Sequence, residues 1–335
     1  MKIIELTKKG EVYKVDNYAA LGVENIAQST NNTDEALQNI ADVISDILSK
    51  YKIKTKHAAI ALSNSKASVK VIEIPDDLLE DEVETQITME SERFIPYAID
   101  EVYLDFKFIA KSEVEGYNDY IIVAAKTEDV EFIVDAVEMA GLKVKVVDIE
   151  SYTTENSFRL IENQIQSDLP KEERVIALID IGASTMTINI FYNGKSIYMR
   201  ENLFGGNQLT DEIKERYGIS REEAGFIKKK GGLPDTYEQD ILNPFIHSII
   251  QEVSRFLHVF YSSSRFNQVD QIVLCGGTGG LKGLDKAIEE KLAVKTIVAN
   301  PVKDMEISSK IDKSHLYGDA PALMTAVGLA LRSYV

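Results

Sequence analysis

The stretch Val175-Ile176-Ala177-Leu178-Ile179-Asp180-Ile181 constrains this chain more than any other. A strand with one wet face alternates apolar and polar residues. A nearly unbroken apolar run of this length needs both faces of its sheet covered. It therefore points to an α/β architecture with helices packed on a largely buried sheet. The run continues as Gly182-Ala183-Ser184-Thr185-Met186-Thr187. Glycine and small hydroxyl residues in such a turn let backbone N–H groups and side-chain hydroxyls approach phosphate oxygens, because no bulky side chain intervenes. Asp180 is placed to hold a hydrated divalent cation of the magnesium kind. A plain tight turn fits the same residues, so this motif alone does not specify phosphate.

A second glycine cluster, Gly276-Gly277-Thr278-Gly279-Gly280, follows the apolar strand Gln271–Leu274 and precedes a helix over 283–292. Its glycines allow close backbone approach to a flat ligand, and they also suit an ordinary strand-to-helix turn. A dinucleotide-binding fingerprint fits less well, since it wants G-x-G-x-x-G early in the chain and an acidic residue about 20 positions later. Between the clusters, Asn193-Gly194 signals a hairpin joining strands at 185–192 and 195–202. Leu209, Ile213 and Tyr217 mark a helix ending at Gly218, and Ser220 with Glu223 forms a capping box for the next one. A long helix is expected over 243–264, a strand over 296–298 and a last helix over 320–332.

The first half reads as strands at 3–6 and 11–18, a polar stretch Gln28–Thr33, a helix over 34–48, and strands at 58–62 and 68–74. An acidic helix over 76–92 ends before Pro96. Strands at 101–109 and 120–125 and a helix over 127–140 ending at Gly141 follow, then a strand at 143–149. Polar residues 160–174 suggest a domain boundary.

Charge and cysteine usage remove several function classes. Lys and Arg number 37 against 54 Asp and Glu, a formal charge of −17. That disfavours a nucleic-acid surface and leaves room for a basic partner. Cys275 is the single cysteine, which excludes an intrachain disulfide and any cysteine-built zinc or iron–sulfur site. No apolar run reaches about 18 residues, and the first residues lack a signal-peptide core. Membrane contact is expected only through partners.

The order strand–turn–hairpin, helices, strand–glycine–helix resembles the second domain of the actin-like ATPase superfamily, whose phosphate hairpin and adenosine turn face a common cleft. Gly318-Asp319-Ala320-Pro321-Ala322 matches the helix that returns to the hinge. Three stretches narrow the likeness: Glu90-Ser91-Glu92-Arg93-Phe94-Ile95-Pro96-Tyr97, Val147-Asp148-Ile149-Glu150-Ser151-Tyr152, and Arg200-Glu201-Asn202-Leu203-Phe204-Gly205-Gly206-Asn207-Gln208-Leu209-Thr210. With them the chain resembles, over nearly its whole length, the type IV pilus assembly PilM family, related to the cell-division protein FtsA.

The resemblance implies an α/β, two-domain actin-like (ribonuclease H-like) fold with an inserted FtsA-type helix-strand-strand subdomain. It divides the chain into 1–75 with 140–160, the insert 76–139, 170–202 with 265–335, and a helical part 203–264. It implies ATP and Mg as cofactors, with Asp180, Gly182, Ala183, Ser184, Thr185, Lys228, Gly276, Gly277, Thr278 and Gly279 as binding residues and Asp180 on the metal. The catalytic residue stays unknown, with Glu150 as candidate, and hydrolysis is not implied. The implied partner is the cytoplasmic tail of a PilN-like inner-membrane protein, with other pilus platform or motor components and a possible homo-oligomer. The implied location is cytoplasmic, at the inner membrane through those partners.

Two departures from the family pattern matter. The stretch D-I-G-x-x-x-x-K of a first phosphate loop is represented only by Lys2, which implies weak ATP binding by this form and a natural start about ten or more residues earlier. In Ala224-Gly225-Phe226-Ile227-Lys228 the family's ribose-contacting acid is Gly225, with Glu223 as a possible substitute. A phosphotransferase of the sugar- or acetate-kinase branch is the alternative function, although no acceptor site is evident, and an FtsA-like role is another.

Overall fold

The computed structural model describes residues 1–22 and 32–334, so most of the polar stretch Gln28–Thr33 lies outside the described residues. The chain forms two compact units, Met1–Leu21 with Thr154–Val335, and Gly22–Thr153. We call them the major and the minor unit.

The chain opens with an antiparallel hairpin of the major unit, β1 (Lys2–Lys9) and β2 (Val12–Ala20). The minor unit follows in the order α1 (Thr33–Lys50), β3 (His57–Leu62), β4 (Ala67–Pro75), α2 (Glu80–Ser91), β5 (Val102–Lys111), β6 (Tyr117–Lys126), α3 (Thr127–Met139) and β7 (Lys143–Ile149). It holds two sheets. β3 and β7 run parallel, with their crossover carrying β4, α2, β5, β6 and α3. β4-β6-β5 is an antiparallel sheet. One face of that sheet buries Ile72, Ile74 and Ile122 against Val83 and Ile87 of α2. Helix α1 starts where the Asn32 side chain accepts from Asp34 N at 3.0 Å, satisfying one free amide of its first turn. It then buries Ala36, Ala41, Ile44 and Ile47. Helix α2 begins at Glu80, later than the acidic run suggests, because Asp76–Leu79 form the approach and the Glu82 carboxylate accepts from Leu79 N.

The chain returns to the major unit within α4 (Glu150–Ile161). There follow β8 (Val175–Ile181), β9 (Met186–Tyr192), β10 (Lys195–Asn202), α5 (Gly206–Tyr217), α6 (Arg221–Lys230) and α7 (Asn243–Ser263). Next come β11 (Gln271–Cys275), the single turn α8 (Gly276–Gly279), α9 (Leu284–Leu292), β12 (Thr296–Val298), β13 (Glu306–Ile307), α10 (Lys313–Asp319) and α11 (Met324–Leu331). The main sheet has the order β10-β9-β8-β11-β12, antiparallel from β10 to β8 and parallel from β8 to β12.

The apolar run that opened the argument is β8, and it sits at the centre of this sheet. On one face Ala177, Ile179 and Ile181 meet Leu209, Ile213, Phe245, Ile249, Val253 and Phe256. On the other, Ile176 and Leu178 pack with Phe158, Ile161, Phe191 and Met324. Phe158 of α4 stacks on Phe191 with ring centroids 4.0 Å apart. Both faces are covered, as the apolar run required.

The sequence groups 1–75 with 140–160, whereas the hairpin β1–β2 clusters with the second half of the chain. The cause is specific pairing. β2 hydrogen-bonds to β13, and Leu6 and Val15 bury against Leu316, Leu323 and Val327. The sequence also gives no sign of α4, β13 or α10, and it reads 160–174 as the boundary where the contact division falls at Thr153.

Candidate functional site

The site lies in the major unit, where β8 and β11 end side by side. These strands are parallel neighbours, and their register sets Cys275 beside Asp180. Asp180 is the last polar residue of an otherwise buried strand. The turn to β9 then runs through Gly182, Ala183, Ser184 and Thr185, closed by Gly182 N donating to Thr185 O at 2.9 Å.

Two segments clamp this turn. The Thr278 hydroxyl donates to Gly182 O at 2.9 Å, tying α8 to it. Gly206 N and Asn207 N, at the start of α5, donate to Gly182 O and Ala183 O at 3.0 and 2.8 Å. The Asn207 amide also donates to Ser184 Oγ at 2.9 Å. The carbonyls of the turn are thus occupied from behind. Among the described residues, none accepts a hydrogen bond from the main-chain N–H of Ala183 or Ser184, and both residues are exposed. Exposed amides without a protein partner in a turn of small residues are the chemistry that takes an anion.

Two glycines are required by this packing. A Cβ at Gly276 would run into the Asp180 carboxylate and the Ile181 carbonyl, and the residue has φ +82° besides. A Cβ at Gly205 would run into the Ala183 carbonyl and the Ser184 main-chain nitrogen. Gly277 is exposed with open space beside it, and Gly279 is buried against Leu274. The turn 182–185, the glycine turn 276–279 and the start of α5 therefore meet at one place.

The electrostatics agree with an anion site. Lys228 of α6 donates to Gly206 O at 2.8 Å and to Thr210 Oγ1 at 2.7 Å. Burial, helped by Lys229 and Arg221, lowers its pKa from the ordinary 10.5 to about 8. An ammonium so placed gains by meeting negative charge. Asp180 keeps partial exposure as a residue, yet the protein crowded round its carboxylate raises its pKa. The Lys2 charge and a hydrogen bond from the Cys275 thiol work the other way. The same burial, with Asp180 alongside, pushes the Cys275 thiol well up, so it stays a neutral donor. Lys2 thus acts on the site from β1.

Glu150 opens α4 and counts with the minor unit. A Cβ at Gly225 would come into ordinary contact with the Thr210 methyl carbon at 4.0 Å, and Glu223 serves the start of α6, its N–H donating to Ser220 Oγ at 3.1 Å. The residues that sequence reasoning did not assign to the site are Gly205, Gly206, Asn207, Thr210 and Cys275. For Gly205, Gly206, Asn207 and Thr210 the signal is the stretch Arg200–Thr210 that carries the family likeness, and Cys275 has none.

A family model described as type IV pilus assembly protein PilM matches residues 1–334. The chain belongs to the PilM family. Among solved structures, the PilM-PilN type IV pilus biogenesis complex is similar, with TM-score 0.79 and 24% identity over 100% of this chain and 95% of that one. Among curated relatives, the cell division protein FtsA of Buchnera aphidicola subsp. Baizongia pistaciae (strain Bp) is 22% identical over 59% of this chain. FtsA of Rhizobium meliloti (strain 1021) is 26% identical over 46% of it. The chain spans 51% and 39% of those two relatives' own lengths. This PilM-family chain has the two-domain actin-like α/β fold expected from its motifs. Among the described residues no helix is long and apolar enough to cross a membrane.

Proposed function

We propose that this chain is a nucleotide-binding scaffold of the type IV pilus assembly platform, docking the cytoplasmic tail of a PilN-like inner-membrane protein. One observation carries the nucleotide part. The partnerless amides of Ala183 and Ser184, the half-buried ammonium of Lys228 and the carboxylate of Asp180 are tied together through Gly182, Gly206 and Gly276. That donor set fits a phosphate chain with a divalent cation. In this reading the turn 182–185 and Thr278 receive the phosphates, Gly276 and Gly277 let the nucleoside approach the backbone, and Asp180 holds hydrated magnesium. A cation bound there would supply charge neutralisation for the phosphates, with Asp180 as the residue that would hold it. The protein's own part is to orient the phosphates and to keep Asp180 fixed between Gly276 and Cys275.

The partner part is supported by the family and by the likeness to a PilM-PilN complex. An extended tail fits the minor unit, between the β3–β7 layer with its helices and the inserted β4-β6-β5 sheet, where main-chain pairing is available. Calorimetric titration with Mg-ATP tests the first part. Asp180→Ala should weaken binding only when magnesium is present, and equal affinity in wild type and variant would refute the metal assignment. Chemical-shift mapping with a synthetic tail peptide tests the second. Perturbations confined to 200–265 would refute it.

A further inference from the structure

The β4-β6-β5 sheet has two unlike faces, and only one is covered. Strand alternation sends Ile72, Ile74 and Ile122 to the face under α2. It sends Val69, Val71, Ile121, Val123 and Tyr103 to the other. Their registers align them in rows, Val69 beside Val123 and Val71 beside Ile121. Val69 is 43% exposed, Val71 51% and Tyr103 53%, with Ile121 and Val123 half-buried. A solvated face of an antiparallel sheet is normally polar. A contiguous apolar strip ringed by charge marks a contact surface.

The ring of charge identifies the occupant. Glu73, Asp105 and Asp119 lie on this face, and Lys107 is its one lysine. The neighbouring lysines turn away. Lys70 sits over the Phe94 ring at 4.9 Å and Lys126 over Tyr97 at 4.2 Å, both on the α2 side. A bulge between Phe108 and Ala110 turns Lys111 the same way. A second copy packed symmetrically on the strip would bring three carboxylates against three, with one lysine each to relieve them. A partner carrying apolar residues flanked by Lys and Arg would satisfy both the strip and its rim.

We propose that this bare face docks a basic amphipathic helix of a partner protein. The helix would lay apolar residues spaced i, i+3/i+4, i+7 along Val69, Val71, Ile121 and Val123, with cations over Glu73, Asp105 and Asp119. It would complete a helix–sheet–helix sandwich with α2 opposite. A strand would add to the sheet's edge instead and leave the strip uncovered. The occupant differs from both parts of the proposed function, an extended tail and a nucleotide, and the test below uses neither, so failure here leaves them standing.

The test uses the full chain and two synthetic helices of 18 residues, each with leucines along one face, with lysines on the other face in one and glutamates in its twin. Fluorescence anisotropy should show the basic helix binding at least tenfold tighter than the acidic one. Val71→Glu should weaken it at least tenfold, although the variant adds negative charge. Equal or tighter binding to Val71→Glu would mean diffuse attraction to an acidic protein and would overturn the proposal. So would self-association abolished by Val71→Glu, which would make a second copy the occupant. If Val71→Glu alters the circular dichroism melt, a spin-labelled basic helix on the unmodified chain decides. It should broaden the Val69, Ile121 and Val123 resonances, and broadening elsewhere only would overturn the assignment.

Discussion

The two principal sheets treat their faces in opposite ways. The sheet around β8 is buried on both sides, with Leu178 and Ile179 at 1% and 0% exposure. The β4-β6-β5 sheet covers one face with α2 and leaves Val69, Val71 and Tyr103 in solvent. The first arrangement suits a site that must hold still, since glycine turns, Asp180 and Lys228 are fixed by packing from behind. The second suits a surface that acquires its last layer from outside. The stretch Ser68-Val69-Lys70-Val71-Ile72-Glu73-Ile74 carries apolar residues at both odd and even positions. The protein buries only the even ones.

Paired truncations are the hardest test of that contrast. Leu178→Ala should cost about 2–5 kcal/mol, because it removes packed atoms and leaves a cavity. Val71→Ala should stay within about 0.5 kcal/mol in the free chain. Urea denaturation of both variants checks this. A comparable cost for Val71→Ala would mean that the strip is part of the fold rather than a contact surface.

The next effect sharpens the major unit's side. Gly276→Ala places a methyl group in a left-handed position against Asp180, and should cost about 1–3 kcal/mol. Gly283→Ala has a similar φ, +83°, but open space around it, so it should cost about 1–2 kcal/mol, from backbone strain alone. Only the first should also alter nucleotide binding, which calorimetry separates from stability.

A smaller effect concerns Lys228. Lys228→Met should weaken nucleotide binding about tenfold, about 1.4 kcal/mol. Because its pKa in the folded chain is about 8 rather than 10.5, wild-type affinity should fall as pH rises through about 8. Nucleotide binding near that pH should take up a proton, seen as a buffer-dependent heat. Stability has the opposite sign. Folding disfavours the charged lysine, so the penalty is full below about pH 8 and fades as pH rises toward 10.5. A pH-independent affinity would remove Lys228 from the site. The smallest effect is a control at the surface. Asn193 has φ 52° in the β9–β10 turn, so Asn193→Gly should change stability by no more than about 0.5 kcal/mol and leave binding untouched.

Local chemistry was legible without the structure. The β8 run, the Asn193-Gly194 turn, the Ser220 cap and the glycines ending α3 and α5 follow from period, turn type and capping, which are properties of neighbouring residues. Only tertiary structure could decide the rest. Helix α4 has a largely polar sequence and is held by Phe158 and Ile161 against a sheet element that includes Phe191. The grouping of residues 1–21 depends on β2 meeting β13. Lys228 finds Gly206 and Thr210, 22 and 18 positions away, and Asp180 finds Cys275 only through the parallel register of β8 and β11. Which side of β4 stays bare was also beyond the sequence. Both of its faces are apolar enough to be buried, and covering one of them depends on where α2 packs, a contact between distant residues that no local pattern encodes.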